Sequence, residues 1–383
     1  MKMNILFVAR SYLMLLNVIN LRLNVYQKEN ADLIFTNDSN NSEAIYEKLK
    51  QLNIFDNVYY VKHEEFAPEK TPMDKIKTTF TMYIRPEKYL TFMDINKKYD
   101  KLIMYTVYRK LEDSIYCLLK KKNSNIEIYL YEEGYINYIY ENGYHEIIKG
   151  NLKKISNIHK FMCTIFAKKL LINNISGFYY YNPELIIFNP PYPVYTMPKL
   201  NREDKKFGVI LDQLFELSKI DIDSEFDSDI VYFEQSLFGE DENILEKEII
   251  HILNKANLDV VVKRHPRIKT NKYKNDNIKI CSSNSIPWEA LQYKKDFDGK
   301  IMMSICSSSV FSSYLYYGDC TKIILLYKMY KNNELGINNE KFERFTNQFK
   351  KMNLAEIYEP LNSRELENVL RSIDEHKDSK NCK

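Results

Sequence analysis

The sequence predicts an α/β protein built from two Rossmann-like domains, and three observations carry that prediction. Short apolar runs of strand length alternate with amphipathic stretches of helix length from the first residues onward, the pattern of a parallel sheet covered by helices. The alternation is interrupted at a proline cluster, Asn189-Pro190-Pro191-Tyr192-Pro193, and then resumes. The length of 383 residues exceeds what one hydrophobic core usually organises. Two domains, residues 1–190 and residues 191–383, follow from these observations.

The first half opens with the apolar run Ile5-Leu6-Phe7-Val8, a helical stretch over residues 12–23, and a second strand, Ala31-Asp32-Leu33-Ile34-Phe35-Thr36. That is a β-α-β opening. Helical spacing over residues 42–52 leads to Val58-Tyr59-Tyr60-Val61, then to Lys101-Leu102-Ile103-Met104-Tyr105, a helix over residues 113–121, and Ile126-Glu127-Ile128-Tyr129-Leu130. Residues 147–171 read as basic and helical. Proline blocks both helix and central strand, so the cluster at 189–193 is expected to mark the crossing between domains. The second half restarts at Phe207-Gly208-Val209-Ile210-Leu211 or at Ile230-Val231-Tyr232-Phe233. It continues with a helix over residues 241–256 and the strand Val260-Val261-Val262, and its Lys-rich end reads as a solvated tail.

Composition narrows the function. Hydrophobic residues at 45% and charged residues at 28% describe a chain able to fold around sizeable cores. With 55 basic against 52 acidic residues the net charge is +3, too near neutral for a protein that coats nucleic acid. The 31 tyrosines beside nine glycines read as a base-composition bias and carry no functional argument. Six cysteines (Cys117, Cys163, Cys281, Cys306, Cys320, Cys382) stand far apart with no C-x-x-C, which fits a reducing cytoplasm. No leader pattern follows Met1, and no apolar run reaches the roughly 18 residues of a membrane span. The basic stretch at 149–171 reads as a solvated helix between domains in preference to a peripheral contact with the inner face of an anionic membrane. A homodimer is compatible with the sequence.

Three clusters have the residue types that chemistry needs. Glu132 and Glu133, followed by Gly134, stand where a predicted parallel strand ends, the edge at which open α/β sheets keep ligands. A carboxylate beside another acid and partly out of water is raised toward the range that lets it take a hydroxyl proton. Two acids at that place also serve as caps for the following helix, so both readings stand. The second cluster is Lys263-Arg264-His265-Pro266-Arg267, directly after a valine run. Proline keeps the residue before it extended, so His265 projects from the strand end, either as a phosphate donor among cations or as part of a solvated basic turn. Third, Cys306-Ser307-Ser308-Ser309 follows an apolar strand and opens a helix, an anion cradle or an ordinary serine cap. Ser285-Ile286-Pro287-Trp288-Glu289 is a turn into a helix whose Glu289 either accepts from ribose hydroxyls or favours the helix start. His63, His145, His159, His251 and His376 lack metal-ligand spacing, and the chain has neither a Walker lysine motif nor a G-x-S-x-G elbow.

In this order and at strand ends, acid-acid-Gly followed by His-Pro and a serine cluster resembles the bacterial sialyltransferases. The likeness is in particular to the lipooligosaccharide and capsule sialyltransferases of glycosyltransferase family 52, which share both signatures with the bacterial polysialyltransferases. The resemblance implies a GT-B fold, two Rossmann-like domains facing across a cleft that closes to exclude water. It implies inverting transfer of sialic acid from CMP-sialic acid to a galactose-terminated surface glycan, most simply at the 3-hydroxyl, with no cofactor and no metal. Residue by residue, it puts the general base at Glu132 or Glu133 with the first acid preferred, and makes His265 the group that contacts or protonates the departing phosphate. Ser307, Ser308 and Ser309 hold that phosphate, Glu289 lies near the ribose or cytosine, and Lys263, Pro266 and Gln235 complete the donor-binding set. Some members carry the base about twenty residues before the His-Pro, on the segment equivalent to residues 233–241, which keeps Glu240 and Asp241 in contention. A polymerising transferase, a transferase of another nucleotide-activated sugar, and a non-catalytic glycan- or nucleotide-binding subunit of an assembly complex remain as alternatives.

Overall fold

The computed structural model describes residues 2–39, 41–62, 71–106, 109–139, 175–235, 244–256, 258–265, 268, 273, 278–330 and 339–381. The basic stretch at 149–171, Glu240, Asp241 and Pro266 lie outside them. The chain divides into two units, Met1–Pro198 with Val209–Phe215, and Lys199–Gly208 with Glu216–Lys383.

The first unit holds seven strands: β1 (Asn4–Ala9), β2 (Asn30–Thr36), β3 (Asn57–Val61), β4 (Lys101–Met104), β5 (Glu127–Tyr131), β6 (Ile175–Tyr180) and β7 (Val194–Thr196). They form one all-parallel sheet in the order β3-β2-β1-β4-β5-β6-β7. Every residue from Ile5 to Ala9 is buried, as expected of a strand covered on both faces. The following helix, α1 (Tyr12–Asn24), starts where Ser11 accepts a hydrogen bond from the amide of Met14. Helices α2 (Ser42–Gln51), α3 (Pro72–Ile84) and α4 (Lys110–Lys122) follow. The three lysines closing α4 face the negative end of its dipole.

The second unit repeats the plan with β8 (Ile230–Phe233), β9 (Val260–Lys263), β10 (Lys279–Ile280), β11 (Ile301–Ser304), β12 (Lys322–Leu325) and β13 (Glu356–Tyr358). Its sheet is also all parallel, in the order β10-β9-β8-β11-β12-β13. Strand order reverses between β1 and β4 in one sheet and between β8 and β11 in the other. A doubly wound sheet binds ligands beyond the carboxyl ends of its strands at that reversal.

Two local expectations are corrected. Residues 207–211 are helical, inside Lys205–Phe215, and not a strand. Phe207, Ile210, Leu211 and Leu214 are buried at helical spacing while Val209 is exposed, and a Cβ on Gly208 would fall 2.2 Å from the Tyr293 hydroxyl, so only glycine allows this approach. The proline cluster leads into β7, the last strand of the first sheet, where a missing amide donor is tolerated.

Candidate active site

The carboxyl end of β5 separates the two acids. Tyr131 anchors the strand end by donating its hydroxyl to the Val8 carbonyl at 2.6 Å. Glu132 is fully buried. Its Oε2 accepts from the Tyr138 hydroxyl and, at 2.9 Å, from the Tyr181 amide, while its carbonyl accepts from Asn17 Nδ2 at 2.8 Å. One residue, through its carbonyl and its side chain, thereby ties β5 to α1, to the chain after β6 and to the short helix Ile136–Ile139. Glu133, the next residue, is exposed. Its amide donates to Asn137 Oδ1 at 2.6 Å, and Gly134 takes φ of 112°, a conformation suited to glycine that turns the chain sharply into that helix. Strand, clamp and turn therefore hold the backbone of Glu133 firmly, while the residue itself is exposed.

In the second unit, Phe233 pairs with Lys263 on one side and with Ser304 on the other. The residues that follow these three strands consequently emerge side by side on one sheet edge, at the strand-order reversal. His265 is half-buried there, and its amide donates to Glu234 Oε2 at 3.1 Å. Arg264 Nε lies 3.7 Å from the same carboxylate oxygen, and the Arg264 amide donates to Asn284 Oδ1 at 2.8 Å. Gln235 turns the other way: its Oε1 accepts from the Cys306 amide at 2.6 Å and from Ser304 Oγ at 3.2 Å. Ser307, Ser308 and Ser309 are half-buried and open the helix Ser309–Ser312. Ser307 Oγ accepts from the Ser309 amide at 3.3 Å, and Ser308, at the cap position, makes no capping bond through its hydroxyl. The Cys306 thiol, pushed up to about 11 by burial, is no nucleophile at neutral pH.

Two other residues read as donor contacts sit beneath this edge. Lys263 is buried, and its ammonium donates to the carbonyls of Ser283, Asn284 and Ile286 at 3.1, 3.2 and 2.9 Å. Burial lowers its pKa, and the three carbonyls supply the solvation that water would otherwise give. Lys263 thus fastens the loop leading to Pro287 and the helix Trp288–Lys294. We expect Lys263→Met to lower stability by about 2 kcal/mol, since carbonyls are left unpaired, with a small effect on turnover. Thermal unfolding together with steady-state rates checks both. Glu289, on the first turn of that helix, is buried, and desolvation raises its pKa while Lys263 acts against the rise.

Glu234 lies in the segment read as carrying an alternative acid, but the sequence reading singled out Glu240 and Asp241 there and not Glu234. The available signal was a charged residue directly after a four-residue apolar strand, the same signal that Glu132 gives after β5. Arg10, likewise unanticipated, is buried just after β1 and pairs with Glu112 at 3.1 Å and Asp38 at 3.4 Å. Three Asp-x-Asp pairs, the arrangement that metal-dependent transferases use for a diphosphate, stand at 221 and 223, 227 and 229, and 296 and 298. Asp229 and Asp298 precede β8 and β11, at the strand starts and away from the His265 edge. Asp221 caps the short helix Ile222–Glu225, and Asp223 pairs with Lys295. Among the described residues no three His, Cys, Asp or Glu side chains gather as a metal site, and no helix is long and apolar enough to cross a membrane.

The family model of the alpha-2,8-polysialyltransferases (POLYST) matches residues 5–327, a span that contains both sheet edges. The chain belongs to this family. It is therefore a sialyltransferase-family protein of the glycosyltransferase class, as the acid-acid-Gly and His-Pro signatures led us to expect. No curated protein sequence gives a significant match. Among solved structures, the chain is similar to an alpha/beta-galactoside alpha-2,3-sialyltransferase from Photobacterium phosphoreum, with 16% identity, 93% of this chain and 98% of that chain covered, and a TM-score of 0.51. It is also similar to UGT89C1 of Arabidopsis thaliana complexed with UDP, with 12% identity, 97% and 91% covered, and a TM-score of 0.54. At these identities the likeness speaks for the fold. The polysialyltransferase-family chain has the GT-B architecture expected of it, two parallel-sheet α/β domains.

Proposed function

We propose that this protein is an inverting, metal-independent sialyltransferase that uses CMP-sialic acid as donor. The observation that carries the proposal is the family match extending through both the Glu133 edge and the His265 edge. In the reaction, an acceptor hydroxyl oxygen attacks the anomeric carbon of sialic acid as the bond to phosphate breaks, and the bonding pair leaves with CMP. Glu133 takes the acceptor proton, because it is the exposed member of the acid pair on a rigid strand end. His265 and the hydroxyls of Ser307, Ser308 and Ser309 offset charge on the departing phosphate, and Glu289 orients the nucleoside. A leaving monophosphate has no diphosphate for a metal to bridge, so the chemistry asks for no Mg²⁺.

The acceptor read from the sequence is the galactose 3-hydroxyl. The family match supports a second reading, in which the acceptor is itself a sialic acid and transfer to its 8-hydroxyl builds a chain. Incubation with CMP-sialic acid and either lactose or sialyllactose, with and without EDTA, separates these. We expect CMP release and a sialylated product at equal rates with and without the chelator, and the productive acceptor identifies the linkage. Failure to turn over CMP-sialic acid on any sialyl or galactosyl acceptor sinks the proposal and leaves another CMP-sugar or a binding role. A rate lost to EDTA and restored by Mg²⁺ sinks the metal-independent mechanism.

A further inference from the structure

Backbone pairing across β9-β8-β11 stops close to Phe233, Lys263 and Ser304, with one further bond from the Glu234 amide to the Lys263 carbonyl at 3.1 Å. Beyond that point the two flanking segments have to be held by something other than the ladder. Two consecutive side chains leaving β8 do this in opposite directions. Glu234 reaches toward β9, accepting from the His265 amide at 3.1 Å with Arg264 Nε at 3.7 Å. Gln235 reaches toward β11, accepting from the Cys306 amide at 2.6 Å and from Ser304 Oγ at 3.2 Å, and donating to Cys306 Sγ at 3.6 Å. Glu234 is buried, so its acceptor is directed at an amide in a low dielectric, where the bond is strong and costly to lose.

We propose that Glu234 and Gln235 form a two-armed positioning brace that sets the spacing between His265 and the turn at residues 307–309. The brace rests on the reading of those residues as contacts to the donor phosphate. Glu234 does not touch the donor; it acts through the backbone of His265, as Gln235 acts through Cys306. Two loops from different strands can address one phosphate only when their separation is constant, and each arm removes a degree of freedom from one loop.

The test uses the full chain, with CMP binding followed by calorimetry and kcat and KM measured separately for CMP-sialic acid and for the acceptor. Loss of one such directed bond is expected to weaken CMP binding about tenfold in Glu234→Ala and in Gln235→Ala. Donor KM rises with it, and acceptor KM stays within about twofold of the original. Glu234→Gln, which keeps an acceptor for the His265 amide, recovers most of the affinity. Because Glu234 works through His265, the Glu234→Ala/His265→Ala double variant binds CMP no more weakly than His265→Ala alone. Multiplying losses in the double variant, an acceptor KM that moves with the donor KM, or equal losses in the Gln and Ala variants each overturn the brace. Should Glu234→Ala fail to fold, Gln235→Ala in a cycle with Ser307→Ala applies the same criterion to the other arm. Unchanged CMP binding in His265→Ala overturns the donor-site assignment and the brace with it, whereas a normal His265 loss with independent effects overturns the brace alone.

Discussion

Glu133→Gln is expected to lower kcat by about 10²–10⁴-fold, the range a positioned general base supplies, while CMP-sialic acid binding and thermal stability stay near those of the unaltered protein. The substitution keeps shape and hydrogen-bonding reach but removes the ability to accept a proton. Glu133 is exposed, and its backbone is held by Asn137 Oδ1 at 2.6 Å and by the turn at Gly134, neither of which involves the substituted atoms. Steady-state rates at saturating donor, with calorimetric binding of CMP, check the result. A variant with full kcat moves the base elsewhere, with Glu132, Glu240 and Asp241 next in line.

Glu132→Ala is expected to do the reverse. The carboxylate of Glu132 takes the Tyr138 hydroxyl and the Tyr181 amide inside the first unit, with no exposure to water. Removing it leaves two buried donors without that acceptor and a hole between β5 and the chain after β6. The cost is about 3 kcal/mol, and in a unit of this size that lowers Tm by about 6–12 °C. Below that transition the folded protein retains most of its kcat. Glu132→Gln, which still offers an oxygen to the Tyr181 amide, loses less stability than the alanine variant. Differential scanning calorimetry and rates at low temperature decide it: an unchanged Tm with a collapsed kcat would exchange the roles of the two glutamates.

These paired expectations show what separates legible from illegible features in this chain. The alternation of apolar runs and helical stretches is readable because parallel strands buried on both faces are largely continuous hydrophobic segments, as residues 5–9, 128–131, 230–233 and 260–262 are. Residues 207–211 misled because a five-residue apolar run around a glycine fits a strand as well as a buried helix turn. Only the approach of Tyr293 to Gly208 shows why glycine is there. The two-residue β10 and three-residue β7 and β13 are too short to leave a periodic pattern.

The site divides in the same way. The sequence shows which residue types stand at the strand ends, since an acid pair with glycine, a histidine before proline and a run of serines each lie within a few residues of an apolar strand. It could not assign labour between neighbours. Glu132 and Glu133 follow β5 as chemical equals in the sequence and become a buried tie and an exposed residue only once the chain after β6 and α1 pack against the first of them. Lys263 reads as a cation for phosphate until the loop at 283–286 folds over it and its three carbonyls take the ammonium. Glu234 carries no motif, and its role exists only because β9 lies beside β8. Residue chemistry is local and is written in the chain. Which of two adjacent groups meets water and which meets a buried amide depends on segments far away in sequence, which only folding brings alongside.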